Sequence, residues 1–205
     1  VGFVIANYCA NQPMPGITFD IVGESIGKPH LLQERFEKAG FHTFYVTPKK
    51  QSLLKNIKEM RRVIQQGHYD AVHVHFEEWS FLYLWIAKLC GVKVRVCHAH
   101  MAYMTGASAK PHYRLFRVLL NRFATLRLAC SKDHLYGKHP YTVLKNAIEA
   151  EKYVYHPETR RQIRTQMGLT DKFVVGVVGR LTYQKNPQFT VEIFAKVKEK
   201  RPNAV

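Results

Sequence analysis

Lys172 to Asn186 reads K-F-V-V-G-V-V-G-R-L-T-Y-Q-K-N, an apolar stretch of strand length that ends in Gly179-Arg180 and leads to Lys185-Asn186-Pro187 at the start of a helical pattern. Asn is a favoured N-cap and Pro a favoured first helical residue, so the unpaired N–H groups of that helix point toward the place where Arg180 and Lys185 stand. Two fixed cations beside a helix N-terminus suit a diphosphate, which meets dipole and charge together. The plainer alternative is two cations that solvate a loop.

A second constellation is imidazole. His73 and His75 form one H-x-H pair, and His98 and His100 another. Both fall at the carboxyl ends of predicted strands, where open parallel sheets collect their ligands. Alternate strand residues share a face, so His73 and His75 project together; His98 and His100 do so if their strand runs that far. Paired histidines can ligate a metal, but such sites usually add a carboxylate from another strand end. The acids near by are Asp70, Glu77 and Glu78, and Asp70 lies at the wrong end of its strand, so no metal ligand is expected. Proton handling near neutrality suits a histidine equally, and so does plain packing in a core.

The elements that must position these groups alternate in kind. Strands are predicted over Ile17–Gly23, His42–Thr47, Tyr69–Phe76, Val92–Cys97, Leu126–Ser131, Tyr141–Lys145 and Phe173–Val178. Helical spacing joins Leu53, Ile57, Met60 and Ile64, then His112, Phe116, Leu119 and Phe123, then Phe189, Ile193 and Val197. Gly40, Gly67 and Gly91 stand at expected helix C-caps. Strand, helix, strand, helix predicts an α/β protein with a Rossmann-like parallel sheet covered on both faces. Trp79, Phe81, Tyr83 and Trp85 are expected mostly in the core. A polar stretch, Glu149 to Gly168, separates the first six strands from the last, with a helix over Pro157–Gly168. The organisation expected is a domain over 1–150, a linker over 151–170 and a first β-α unit of another domain over 171–205.

Composition narrows the class. The 205 residues are 46% apolar and 22% charged, ordinary for a globular protein. The formal charge of +16 is the outlier and implies an anionic partner: nucleic acid, an anionic membrane surface or a phosphorylated substrate. The basic residues form no long tract and no recognisable nucleic-acid motif accompanies them. Cys9, Cys90, Cys97 and Cys130 make no C-x-x-C pair, which favours reduced, mostly buried thiols in a cytosolic protein. No apolar run reaches membrane-spanning length, and no signal-peptide pattern opens the chain. The first residue is Val1, and Asn203-Ala204-Val205 reads as the start of a strand, so both ends look cut.

Gly179 to Asn186, G-R-L-x-x-x-K-N, resembles the donor-diphosphate motif of family 4 glycosyltransferases, retaining enzymes of GT-B architecture, and in particular those of bacterial capsular and exopolysaccharide synthesis. V-K-V-R-V-C-H-A-H (Val92 to His100), A-C-S-K (Ala129 to Lys132) and K-N-A-I-E (Lys145 to Glu149) resemble family stretches written H-S-H, A-x-S and N-G-I-D. Ala147 and Glu149 depart from the last of these, and alanine resists backbone shapes that glycine permits.

The resemblance implies a nucleotide-sugar donor, most often UDP-linked, no cofactor and no metal. It implies that Gly179, Arg180, Lys185 and Asn186 hold the donor diphosphate. His98 becomes the catalytic-site residue, as hydrogen-bonding group or general base, with His75, His100, Tyr103 and Asn146 toward a polyprenyl-linked or saccharide acceptor. Transfer would proceed with retention, His98 lying across an interdomain cleft from the clamp. The family's glutamate pair, seven residues apart, would lie beyond Val205, so the chain alone is expected to be inactive. Cytoplasmic placement is implied, with Lys110, Arg114, Arg117 and Arg122 available to an anionic membrane; Tyr103, Met104 and Gly106 border the same neighbourhood. Two other readings compete: a basic nucleic-acid-binding α/β domain, and a metallohydrolase built on the histidines.

Overall fold

The computed structural model describes residues 2–9, 15–26, 31–76, 79–100, 111–132 and 136–205. They divide into two compact units, Val1–Glu149 and Ala150–Val205. In the first unit come α1 (Gly2–Cys9), β1 (Asp20–Glu24), α2 (Gln33–Lys38), β2 (His42–Val46), α3 (Leu53–Gly67), β3 (Ala71–Val74), α4 (Ser80–Leu89), β4 (Val94–Ala99), α5 (Pro111–Phe123), β5 (Leu126–Ala129) and β6 (Thr142–Val143). Every strand pairing is parallel. β1 pairs β2 with Asp20 opposite His42, and β3, β4, β5 and β6 form a four-stranded sheet in that order. The six strands thus fall into two ladders rather than one among the described residues. Tyr69 still links their amino ends, its hydroxyl donating to Asp20 Oδ2 at 2.6 Å.

The core sits on α4. Its sequence, S-F-L-Y-L-W-I-A-K-L, is apolar on nearly all sides, and Ser80, Leu82, Tyr83, Leu84, Ile86 and Ala87 are buried. It packs against α3, α5, β3 and β4, with Met60, Ile64, Val74, Cys97, Leu120 and Tyr136 in the same cluster. Tyr83 is buried as expected, Trp79 and Phe81 only partly, and Trp85 is exposed because the chain turns that side of α4 outward. Only Cys97 is fully buried among the four free thiols, a correction to the expectation for the set.

Many cations are spent internally. Lys49 pairs with Glu24 and lies 3.0 Å from the Tyr83 hydroxyl, with its ammonium 4.0 Å from the Phe76 ring centroid. Asn56, fully buried, donates to Glu24 Oε1 at 3.1 Å and to the Thr47 carbonyl at 2.7 Å. Arg95 and Arg127 donate to carbonyls around the end of α5, Phe123 at 2.8 Å and Asn121 at 2.6 Å, where the helix dipole favours positive charge. Arg35 pairs with Glu149 and donates to Asn7 Oδ1 at 3.0 Å, tying α1 to the segment after β6. No sequence signal had marked α1.

Two local expectations need correcting. α3 runs through Gly67, and His68 takes the left-handed C-cap at φ 47°. Gly67 instead allows close approach, since a Cβ there would stand 2.2 Å from the Tyr69 ring. In the second unit, Phe173–Val178 is not a strand. It makes one parallel bridge, Phe173 to Ala204, and Val175 N–H donates to the Val205 carbonyl at 2.9 Å. A strand buried on both faces needs neighbours on both edges and cover above and below. Val177 and Val178 have neither among the described residues and are exposed. The unit also holds α6 (Pro157–Gln166) and α7 (Pro187–Lys200), with short 3₁₀ turns at Ala150–Tyr153 and Tyr183–Lys185.

Candidate functional site

The parallel register of β3 on β4 sets His73 opposite Val96 and Val74 opposite Cys97, so His75 and His98 follow at the carboxyl end. The strand period then turns four rings to one face. Centroids lie 4.2 Å apart for His73 and His75, 5.3 Å for His73 and His98, 4.2 Å for His98 and His100, and 4.9 Å for His75 and His100. β4 reaches Ala99, far enough that His98 and His100 do project together.

Three groups fix proton positions. His75 Nδ1 and His100 Nε2 are 2.7 Å apart, and His100 Nδ1 is 3.1 Å from Asn146 Oδ1. With the amide oxygen as acceptor, His100 carries its proton on Nδ1, its Nε2 accepts from His75 Nδ1–H, and His75 keeps a lone pair on Nε2. Cys130 Sγ donates to the His100 carbonyl at 3.0 Å, and the Ala147 carbonyl accepts from Asn7 Nδ2 at 2.8 Å, so alanine in K-N-A-I-E is accommodated and held.

His98 differs from the other three. It is 2% exposed, and neither ring nitrogen has a hydrogen-bond partner among the described residues. The Leu144 backbone lies near enough to favour the charged form slightly. Burial, then the neighbouring His100 and His73, push its pKa down to about 4. His75 is driven to about 2 by burial and then by its three imidazole neighbours. His73, whose edge reaches solvent, falls to about 4 through desolvation of the rest of the ring and then through His100. His100 is also lowered, by burial first, with its bond to Asn146 opposing. The block is therefore neutral near pH 7: it offers lone pairs and N–H groups but stores no proton.

In the second unit the turn before α7 is built within a few residues. Lys185 N–H donates to the Thr182 carbonyl at 2.9 Å, and Asn186 N–H to those of Thr182 and Tyr183 at 3.1 Å. Asn186 takes a left-handed conformation, φ 42° and ψ 63°, and its Oδ1 accepts from Phe189 N–H at 3.2 Å, the expected cap, with Pro187 first in the helix. A Cβ on Gly179 would lie 3.8 Å from Lys185 Cγ, so the lysine stem folds back over that glycine. Arg180 and Lys185 are exposed, and neither pairs with an acid among the described residues. No acid occupies the first turn of α7.

Residues 2–135 match the family model described as "Glycosyl transferase 4-like domain". The chain belongs to that family. It is 30% identical over 186 residues to EpsF of Bacillus subtilis (strain 168), a protein that its name places among glycosyltransferases, covering 84% of this chain and 48% of EpsF. The chain thus spans about half the length of that relative. Crystal structures of Alr3699/HepE of Anabaena share the fold at 17% identity. The complex with UDP has a TM-score of 0.63 over 88% of this chain and 58% of HepE; that with UDP-glucose has 0.67 over 91% and 59%. The expected parallel α/β architecture of GT-B type is the one found.

Sequence reading had named every member of the imidazole block but not their joining through Asn146. It missed the Glu24–Lys49–Tyr83–Asn56 network, which no motif announces. Tyr103, Met104, Gly106, Lys110, Glu77 and Glu78 lie outside the described residues.

Proposed function

We propose that this chain serves sugar transfer from a nucleotide-sugar donor to a saccharide or lipid-linked acceptor in surface polysaccharide assembly, with retention at the anomeric carbon. The observation that carries this reading is His98, buried and without a hydrogen-bond partner among the described residues, at the carboxyl end of a parallel strand inside the segment matched by the family model. UDP is the favoured carrier, in keeping with the HepE complexes.

The chemistry divides between the units. A departing nucleoside diphosphate gathers negative charge, and stabilising it is the larger part of the task. Arg180, Lys185 and the N-terminus of α7 supply that charge and those donors, so no metal is needed at the phosphates. A histidine held near pKa 4 is a poor base at neutral pH. His98 therefore acts by hydrogen bonding to sugar or acceptor rather than by storing a proton, with His75, His100 and Asn146 toward the acceptor. Peripheral contact with an anionic membrane fits α5, whose exposed Arg114, Leu115, Val118 and Arg122 fall within one arc of about 100° on an α-helix. Each such cation contributes about 1 kcal/mol near an anionic surface.

Turnover of UDP-glucose and other UDP-sugars by a full-length version that carries this chain, the parent of the variants below, followed by release of UDP with chelator present, tests the reading. Arg180→Ala or Lys185→Ala should each lower turnover roughly 10²- to 10³-fold. Unchanged turnover in the double variant removes the clamp.

A further inference from the structure

Glycosyl transfer as read above uses His98 and places His75 and His100 beside the acceptor. It has no use for His73, and it gives no reason for four stacked imidazoles where one would serve. One ligand atom from each of His73, His75 and His98 can be chosen so that all three lie within 4.8 Å of one another. Three nitrogens bound to a tetrahedral zinc at ~2.0–2.1 Å stand about 3.3 Å apart, so the trio must draw together by up to ~1.5 Å and turn out of its stacked arrangement to close the triangle.

We propose that His73, His75 and His98 bind one divalent ion of the zinc class, with His100 and Asn146 as its outer support. Fold and chemistry agree on this. The H-x-H on β3 turns two rings to one face, and the register of β4 brings the third beside them. His98 is 2% exposed with both nitrogens unpartnered among the described residues, and an ion would satisfy one of them. The Asn146–His100–His75 chain engages Nδ1 of His75 and leaves its Nε2 with a lone pair, the kind of supporting hydrogen bond that fixes the tautomer of a ligating histidine. An all-imidazole set favours zinc, copper, nickel and cobalt over magnesium, calcium and manganese. Three protein ligands leave a fourth position for water or another exchangeable ligand. The carboxylate whose lack argued against a metal in the sequence is not required by such a trio.

The site is read without turnover, so its fate is separate from that of the transfer reading. The whole chain, stripped with chelator, is titrated with Co²⁺ by visible absorption and with Zn²⁺ by calorimetry. One equivalent should bind, with the strong ligand-field absorption of four-coordinate cobalt, displaced by Zn²⁺ and indifferent to Mg²⁺. His73→Gln and His98→Gln should each weaken binding more than tenfold. Asn146→Ala, which leaves all three ligands in place, should weaken it about 10- to 100-fold. His112→Gln, on the exposed start of α5, should change nothing. Absence of saturable uptake overturns the site. So does uptake that survives the His73→Gln/His98→Gln pair, or a thiolate-to-cobalt charge-transfer band that places the ion on cysteine. If His98→Gln unfolds by circular dichroism, the partly solvated His73 decides alone: Zn²⁺ must raise Tm in the parent and not in His73→Gln.

Discussion

The imidazole block of the first unit and the cationic turn of the second are opposites in burial and in sequence range. His73, His75, His98, His100 and Asn146 come from the carboxyl ends of two strands and from the segment after β6, and meet only when β3, β4 and that segment are in place. Gly179 to Asn186 assembles its groups within one turn, by hydrogen bonds that span three or four residues. The block is desolvated and its pKa values are displaced; Arg180 and Lys185 stand in water. A group that must present a defined lone pair or N–H gains from burial and fixed partners. A group that must attract a mobile dianion gains from exposure and a helix end, at the cost of screening by salt.

The sharpest way to break this contrast is to perturb each side and vary the solvent. His98→Ala should lower kcat about 10²- to 10³-fold, as a lost preorganised hydrogen bond does. Its signature is in the pH and salt profiles. Because the pKa of His98 is lowered to about 4, its neutral form persists as pH falls through 6.5 and is lost only near pH 4. The parent's kcat should therefore stay flat between pH 6 and 8, with the loss in His98→Ala insensitive to salt. The losses in the clamp variants should shrink as ionic strength rises. A kcat that halves near pH 6.5 would mean an imidazole of ordinary pKa carries the step, and the burial argument fails.

The next effect tests whether the first unit owes its order to buried polar pairing. Glu24 Oε1 accepts from Tyr83 at 2.7 Å and Asn56 at 3.1 Å and pairs with Lys49, which holds the Glu24 carboxyl below its usual range despite burial. Glu24→Gln removes the charge and leaves Lys49 half-paired in a largely desolvated place, a loss of about 2–3 kcal/mol. Urea unfolding with a probe in the first unit should show a lower midpoint at unchanged slope, while the second unit's transition stays put. A neutral result would mean that the cation–π contact with Phe76 suffices for Lys49.

The same division explains what the sequence made legible. The strands that carry His73 and His98, the helix with Leu53, Ile57, Met60 and Ile64, and the Asn186 cap are written in local periodicity and local residue type. The link from His100 to Asn146, and the gathering of Glu24, Lys49, Asn56 and Tyr83, depend on contacts between residues 25 to 59 positions apart. No local window contains them, and propensity is silent about them. Phe173–Val178 fails in the other direction. Its residue types favour a strand, but a strand is completed by neighbours, and here one bridge to Ala204 is what it finds.

The smallest effect separates the two things Asn186 does. Its side chain caps α7, and its backbone holds φ at 42°, a conformation that asparagine tolerates and alanine resists. Asn186→Ala loses both and should weaken α7 by about 1–2 kcal/mol. Asn186→Gly loses the cap but accepts the backbone shape, a cost of only a few tenths of a kcal/mol. Amide hydrogen exchange along Phe189 to Val197 should resolve them, with faster exchange in the alanine variant and near-parent exchange in the glycine variant. Protection over α5 should be unchanged in both. If alanine and glycine behave alike, the left-handed turn is not what shapes the N-terminal end of α7, and the cap alone must be credited. If α5 also loosens, stability is shared between the units and the contrast drawn from their separate sites gives way to a single cooperative body.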